Sequence, residues 1–248
     1  MRPAQVFLAC VCLALFSLVI GVSGGSFGAR SGSAVLAAGN GHGVQGGDKL
    51  VFADFENIKD NRPVSNGGGQ IQLIGYQQNE TMKSRFTGQQ GSNPAAPELV
   101  RLKKDDPNHA IAFDFQILAP NDWAGVGVEI DSRESKDGKA VAIDASGYKY
   151  ITLQLYATGA QFGRVEVVSR DNGLAISKDF PQAPFQIKPG FNTYQVAFSQ
   201  LTQSQWADTR VATKDILKKL TAVNVWIYCQ QCTPMSGKVV MDNVVFTK

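Results

Sequence analysis

Alternation of apolar and polar residues recurs from about residue 49 to residue 246 and is the main structural signal of the chain. In Thr221–Tyr228 the aliphatic residues Val223, Val225 and Ile227 fall on one side of an extended backbone. A period of two predicts a β-strand with one face turned toward a core. Further strands are predicted at Lys49–Glu56, Ile71–Tyr76, Asn79–Phe86, Ala110–Ile117, Trp123–Ile130, Lys149–Tyr156, Arg164–Val168, Phe191–Phe198 and Lys238–Phe246.

The pattern contains little helix. Lys238–Phe246 is apolar on both faces except at Asp242 and Asn243, which predicts a strand covered on both sides. Thr213–Leu220, with a Thr cap, and the shorter Thr202–Asp208 have a helical pattern. We therefore predict an all-β fold for residues 48–248. It is a single antiparallel two-sheet β-sandwich of the jelly-roll type with one or two short helices.

The first 47 residues differ in composition from the rest. Val6–Val22 is an almost unbroken apolar run followed by small residues. This predicts a signal peptide over residues 1–24, or to Ala37 if cleavage is later, and export to the periplasm or the medium. Retention of residues 6–22 as a membrane anchor stays open. Residues 25–47 are rich in Gly, Ala and Ser, which predicts a flexible tether.

The charge balance excludes one class of partner. The formal net charge of +3 includes Arg2 and Arg30, and the remaining chain carries 22 basic against 21 acidic residues. A nucleic-acid-binding protein would need a basic face, so we expect no nucleic-acid partner.

Two cysteines, Cys229 and Cys232, lie outside the leader. In an exported chain their spacing predicts a short disulfide. A thioredoxin-like redox site would require the pair to open a helix, whereas here it follows a predicted strand and precedes a turn. A zinc site would need two further ligands, and the only histidines are His42 and His109.

Two predicted strands carry aromatic and amide side chains on the face turned away from the core: Tyr150, Gln154 and Tyr156 on one, and Asn224, Trp226 and Tyr228 on the other. If these strands lie side by side, they form a platform on which a sugar ring could stack, while Asp114 and Arg164 bind hydroxyl groups. The alternative is that the aromatic residues are cross-strand pairs that stabilise a solvated face.

Several segments resemble family 11 carbohydrate-binding modules and their galactose-binding-like relatives: Asp54–Glu56, Ala124–Val128, Val141–Gly159, Arg164–Arg170, Phe198–Trp206 and Gly237–Val244. The similarity extends over about residues 50–248. It implies a jelly roll with a concave cleft for β-glucan. The complex I intermediate-associated protein 30 type domain is a second relative, which has the same jelly roll and implies a role in protein assembly instead.

The resemblance also implies a structural calcium ion where the first and last strands meet. The matching carboxylates are Glu56 and Asp242, with Asp54 nearby. Oxygen ligands from two strands suit calcium. The alternative is that Asp242 caps or pairs at the end of its strand.

No catalytic constellation is visible in the sequence, since His109 is the only histidine of the domain and no nucleophile motif accompanies it. The sequence therefore predicts an exported, noncatalytic module that binds polysaccharide. Two alternatives stay open. One is a protein-interaction module with an exported protein partner, and the other is a glycoside-active enzyme with Asp131 and Glu134 as candidate carboxylates.

Overall fold

A computed structural model of the protein describes residues 47–76, 85–87, 96–130, 142–170, 180–205, 207, 209–229 and 234–248. All of them belong to one compact unit, Gly39–Lys248. The predicted leader and nearly all of the tether lie outside the described residues, as do residues 79–84 and 208 of predicted elements, Asp131, Glu134, Trp206 and Cys232.

The described residues form mostly strands, which we number in chain order: β1 (Lys49–Ala53), β2 (Ile58–Lys59), β3 (Arg62–Pro63), β4 (Gly68–Tyr76), β5 (Arg85–Thr87), β6 (Glu98–Arg101), β7 (His109–Ile117), β8 (Trp123–Ile130), β9 (Tyr150–Ala157), β10 (Phe162–Val168), β11 (Gln182–Gln186), β12 (Asn192–Ala197), β13 (Ala222–Tyr228) and β14 (Met235–Thr247).

These strands assemble into two large sheets in which all pairings are antiparallel. A seven-stranded sheet has the order β12-β9-β14-β7-β5, with β1 also paired to β14 and β6 to β7. A five-stranded sheet has the order β11-β10-β13-β8-β4, and β2 and β3 form a separate hairpin. The predicted all-β antiparallel sandwich is therefore confirmed. Sequence alternation missed the short strands β2, β3, β6 and β11.

The core lies between the two large sheets. Each sheet contributes the aliphatic faces that the alternation predicted, such as Ile151 and Leu153 from β9 and Val223 and Val225 from β13, and all four are buried. Phe246 of β14 is fully buried and makes ring contacts with three aromatic residues, Phe52, Tyr148 and Phe198. Burial of these faces is the main source of stability, because the free energy gained scales with the apolar area removed from water.

The strand β14 differs from its prediction. Its pairing with β9 shifts register between Asp242 and Val245, where Asn243 adopts a φ of 52°. This bulge adds one residue, so Met241 before it and Val244 after it both point into the core. The sequence of this strand looks apolar on both faces because the alternation changes phase at the bulge. The strand is not fully covered on both sides, since its outward residue Val245 is only half-buried.

Helix is confined to two short segments. The helix α1 (Thr213–Lys218) ends before the predicted Leu220, and its N-cap residue is Ala212 rather than a threonine. The Thr213 hydroxyl donates to the Leu201 carbonyl oxygen instead of capping the helix. The described part of the predicted helix Thr202–Asp208 is not helical, because Thr202 pairs with Gln182 in a bridge. A 3-10 helix lies just before it, at Phe198–Gln200.

Among the described residues, no helix is long and apolar enough to cross a membrane.

Replacing Phe246 with Ala should lower the free energy of unfolding by about 3–5 kcal/mol, because it leaves a cavity among three aromatic neighbours. Replacing the neighbouring outward residue Val245 with Ala should cost only about 1 kcal/mol. Urea denaturation of both variants measures the difference. Equal losses in the two variants would contradict the placement of Phe246 at the centre of the core.

Candidate functional site

The two strands of the predicted platform lie in different sheets. The strand β9 belongs to the seven-stranded sheet and β13 to the five-stranded sheet. Both turn their aliphatic faces into the core between the sheets, so their outward faces point in opposite directions. The prediction of one platform from both strands is therefore wrong. Alternation identifies the outward face of a strand but carries no information on which sheet the strand joins.

Four of the predicted residues share the outward face of the seven-stranded sheet: Tyr150, Gln154, Tyr156 and Asp114. They do not form a compact group, because β14 runs between the strands that carry them. Asp114 lies opposite Lys238 of β14, and Gln154 lies opposite Asp242. The tyrosines are half-buried, and no ring contact joins Tyr150 to Tyr156 in the described residues.

The other four residues lie together on the outward face of the five-stranded sheet: Arg164, Asn224, Trp226 and Tyr228. Arg164 of β10 is directly opposite Trp226 of β13. Two aromatic residues that the sequence analysis did not select, Trp123 and Phe162, complete this group. We call the six residues the aromatic face. Trp123 is the first residue of a predicted strand and, like Gly125, lies on its outward face. Its position beside Tyr228 depends on the register between β8 and β13, which the sequence does not reveal.

The arginine holds the aromatic face together. The Arg164 guanidinium carbon lies 5.7 Å from the centre of the Trp123 ring and 5.5 Å from that of Tyr228. The rings of Trp123 and Trp226 are 4.0 Å apart at 63°, and those of Phe162 and Tyr228 are 6.3 Å apart at 38°. A cation within about 6 Å of a ring centre is attracted by the ring quadrupole, so these contacts restrict the arginine and both rings.

A glycine makes room for the indole of Trp226. Gly125 of β8 faces Trp226 in the register, and a Cβ placed at Gly125 would lie 2.8 Å from Cε3 of that indole and 2.1 Å from the Val225 carbonyl oxygen. A glycine inside a strand often marks close approach of another group. Here the group is Trp226, which lies so close to position 125 that no side chain fits there.

The aromatic side chains of the aromatic face differ in burial, and this difference indicates two roles. Trp226 is only 3% exposed, and its Nε1 has no hydrogen-bond partner among the described residues. Phe162 is 44% exposed, while Trp123 and Tyr228 are half-buried. Burial raises the pKa of Tyr228, an effect that the Arg164 charge opposes. Trp226 therefore forms the floor of the aromatic face, and the other three rings offer surface to a ligand.

Polar groups continue the same surface along the strands. Asn224 Nδ2 donates to Glu166 Oε2 at 2.6 Å across β13 and β10. On the other side, Gln72 Nε2 donates to Glu129 Oε1 at 3.1 Å, and Arg170 pairs with the same carboxylate at 2.6 Å. These side chains are held in place by one another and are half-exposed or exposed, so they can bind hydroxyl groups of a ligand that stacks on the rings.

The carboxylates predicted to bind calcium come near one another. Asp242 is buried, with Oδ2 accepting from Asn108 Nδ2 at 2.8 Å and Oδ1 from the Asn243 N–H at 2.8 Å. Burial raises the pKa of Asp242 to about 6, although these two hydrogen bonds act to lower it. The negative charges of Glu56 and Asp54 add to the rise. The alternative of a capping role is supported in part, since Asp242 accepts from the N–H of the next residue.

The other two carboxylates have partners of their own. Glu56 accepts from the backbone N–H of His109 at 2.6 Å, and its second oxygen lies 2.8 Å from Nδ1 of that histidine. Asp54 accepts from Asn66 Nδ2 at 3.1 Å. Carboxylate and amide oxygens are suitable calcium ligands. In the described part of the chain, however, no group of three or more His, Cys, Asp or Glu side chains is arranged to hold a metal ion. Calcium binding stays a prediction.

Cys229 is disulfide-bonded. Its predicted partner, Cys232, lies outside the described residues, so the pairing stays a prediction.

No protein-family model matches the sequence. No curated protein is similar to it either.

Solved structures of carbohydrate-binding modules are similar to this chain. The family 11 module of a cellulosomal cellulase of Clostridium thermocellum has a TM-score of 0.49 and 10% identity, over 80% of this chain and 94% of that one. A family 11 module from the same organism, in complex with a β-1,3-1,4-mixed-linked tetrasaccharide, has a TM-score of 0.48 and 13% identity over 80% and 95%. A family 30 module of another cellulosomal cellulase of that organism has a TM-score of 0.43 and 7% identity over 71% and 97%. Family 11 modules, which the sequence resembles, are thus among the solved structures similar to this chain.

The buried carboxylate of Asp242 should make stability depend on pH in the presence of a chelator. Its pKa is about 6 in the folded protein and 3.8 ordinarily, so the folded state binds more protons between these values and loses stability as pH rises through them. Asp242→Asn should therefore gain about 2–3 kcal/mol relative to the unmodified protein between pH 4 and pH 7.

Urea denaturation at pH 4, 5, 6 and 7 measures this gain. The exposed Asp105→Asn serves as the matched control, for which the difference should stay constant. A constant difference for Asp242→Asn as well would contradict the assigned burial of that carboxylate.

Proposed function

We propose that the protein is an exported, noncatalytic carbohydrate-binding module that binds β-glucan-type polysaccharide on the aromatic face. The observation that carries the proposal is the convergence of Trp123 and Tyr228 around one arginine on the outward face of a sheet, with Phe162 beside Tyr228. Aromatic rings offer a flat apolar surface with a polar edge, which suits the C–H faces of a sugar ring. Export is inferred from the apolar run Val6–Val22 and its small-residue flank.

The polar side chains that continue the surface of the aromatic face favour a neutral sugar as the ligand. Glu166 and Glu129 each accept from an amide, and Arg170 balances Glu129. Together with Arg164, the surface carries two positive and two negative groups, so it has no net charge to select an ionic ligand. A neutral chain with many hydroxyl groups can use such donors and acceptors without a charge of its own. A β-glucan satisfies both requirements, the flat ring face and the hydroxyl groups.

The geometry of the aromatic face determines which residues should be replaced to test ligand binding. Trp226 is buried, so its replacement with Ala would cost about 3–5 kcal/mol of stability and would not isolate binding. Trp123 and Tyr228 are half-buried and accessible to a ligand. Tyr150, on the outward face of the opposite sheet and also half-buried, is a matched control of the same chemical type.

Affinity electrophoresis on mixed-linkage β-glucan and xyloglucan tests the proposal. The unmodified protein should be retarded, and Tyr228→Ala and Trp123→Ala should each weaken binding about tenfold, or about 1.4 kcal/mol, through loss of a stacking surface. Tyr150→Ala should bind as the unmodified protein does. Absence of retardation by any glycan would favour an assembly module with an exported protein partner, and release of products would favour a glycoside-active enzyme.

Calcium is proposed as a structural ion bound by Asp54, Glu56 and Asp242. Saturating calcium should then raise the melting temperature relative to chelator, since at a hundred times the dissociation constant binding adds about 2.7 kcal/mol. Asp242→Asn should abolish the rise, and an equal concentration of magnesium should not reproduce it, because magnesium requires a more regular and smaller oxygen cage. The same melting temperature with calcium and with chelator would rule the ion out.

A further inference from the structure

A cavity lies at one end of the sandwich, next to the Phe162 edge of the aromatic face. The connection from β9 to β10, residues 158–161, and the connection from β11 to β12, residues 187–191, both cross from one sheet to the other at this end. They run side by side because β9 neighbours β12 in one sheet and β10 neighbours β11 in the other. The Ile187 N–H donates to the Gln161 carbonyl oxygen at 2.9 Å and joins them. Between them is a cavity of about 670 Å³.

The walls of this end cavity are fixed by local interactions. Gly159 and Gly190 adopt φ values of +68° and +86°, which only glycine accepts readily, so each connection turns sharply. Asn192 Nδ2 bonds the carbonyl oxygens of residues 188, 189 and 190 at 3.3, 2.9 and 2.9 Å. The Lys188 N–H donates to the Tyr194 hydroxyl at 2.8 Å. A cavity built from such turns is largely formed before a ligand arrives, which lowers the cost of binding.

The side chains that line the end cavity combine three kinds of group. Tyr156 contributes an aromatic ring, Gln161 and Gln186 contribute amides, and Lys188 contributes a positive charge. Gln161, Gln186 and Lys188 are exposed to solvent. Among the described residues that line the cavity there is no carboxylate, so the charge of Lys188 is not neutralised by a neighbour in the lining. This is a different electrostatic character from the balanced aromatic face.

We propose that the end cavity binds a sugar unit that carries a carboxylate, such as the uronate of an acidic polysaccharide. Tyr156 supplies the stacking surface, the two amides bind hydroxyl groups, and the Lys188 ammonium binds the carboxylate in a charge-assisted hydrogen bond. A simple inorganic anion would use only the lysine. The volume lies within the range of about 300–1,000 Å³ typical of sites for small organic ligands, which favours a whole sugar unit.

The end cavity adjoins the aromatic face but is lined by different residues. Gln186 lies directly opposite Phe162 in the register, and no residue of the aromatic face lines the cavity. Tyr156 lies on a strand of the seven-stranded sheet, whereas Trp123 and Tyr228 lie on the outward face of the five-stranded sheet. Variants of Trp123 in the aromatic face and of Lys188 in the end cavity therefore test the two sites separately. If both are occupied by one heteropolymer, the second contact becomes intramolecular, which raises the overall avidity without any new interaction.

Isothermal titration calorimetry of the full-length protein with trigalacturonate tests the proposal, with the methyl ester of the same trisaccharide as the uncharged counterpart. Trigalacturonate should bind saturably, and the ester should bind at least about tenfold more weakly because the charge is lost. Lys188→Gln and Tyr156→Ala should each reduce trigalacturonate binding by a similar factor. The exposed Lys104→Gln, outside the cavity, should leave it unchanged.

Two cross-controls separate this site from the aromatic face. Trp123→Ala should keep full trigalacturonate binding, and Lys188→Gln should keep full retardation on mixed-linkage β-glucan. The latter also verifies that the variant is folded. The proposal is overturned if trigalacturonate does not bind, if its ester binds equally well, if Lys188→Gln has no effect, or if Trp123→Ala abolishes binding.

Discussion

The burial of two aliphatic sheet faces against each other determines where every other side chain of the domain can act. Val225 of β13 and Leu153 of β9 enter the same core from opposite sheets. Slipping either strand by one residue would turn its whole aliphatic face into water, so the outward faces are fixed as firmly as the core. The aromatic residues of β9 and β13 therefore belong to two surfaces that point away from each other, and a single sugar ring cannot stack on both.

The bulge in β14 lets this strand keep its apolar residues in the core while it carries the buried carboxylate of Asp242 on its outward side. A strand of thirteen residues pairs with β9, β7 and β1, and near its middle the extra residue lets Met241 and Val244 both face the core. Asp242 stays on the outward side but is enclosed there with Asn108. A regular strand could not keep Phe246 inward while retaining this arrangement. The conformational cost at Asn243, whose φ is positive, is offset by the aromatic packing around Phe246.

The sequence predicted the fold class, most long strands and their inward faces, because a period of two is a local property of the chain. It could not predict the aromatic face, which depends on register between distant segments. Trp123 and Tyr228 are about a hundred residues apart and become neighbours only through the pairing of β8 with β13. Phe162 opens a strand that was predicted to begin two residues later. The strands β6 and β11 were missed because they are short and, in β11, interrupted by Pro184.

The side chains of the aromatic face are held in place before a ligand binds. Gly125 allows the Trp226 indole to lie on the sheet, Trp226 supports Trp123, and Trp123 and Tyr228 flank Arg164. Each of these side chains has already lost much of its rotamer freedom in the free protein. A ligand that stacks on the rings then loses little free energy to side-chain ordering, which is a main cost of association. A buried tryptophan that does not itself touch the ligand can therefore contribute to affinity by holding the rings that do.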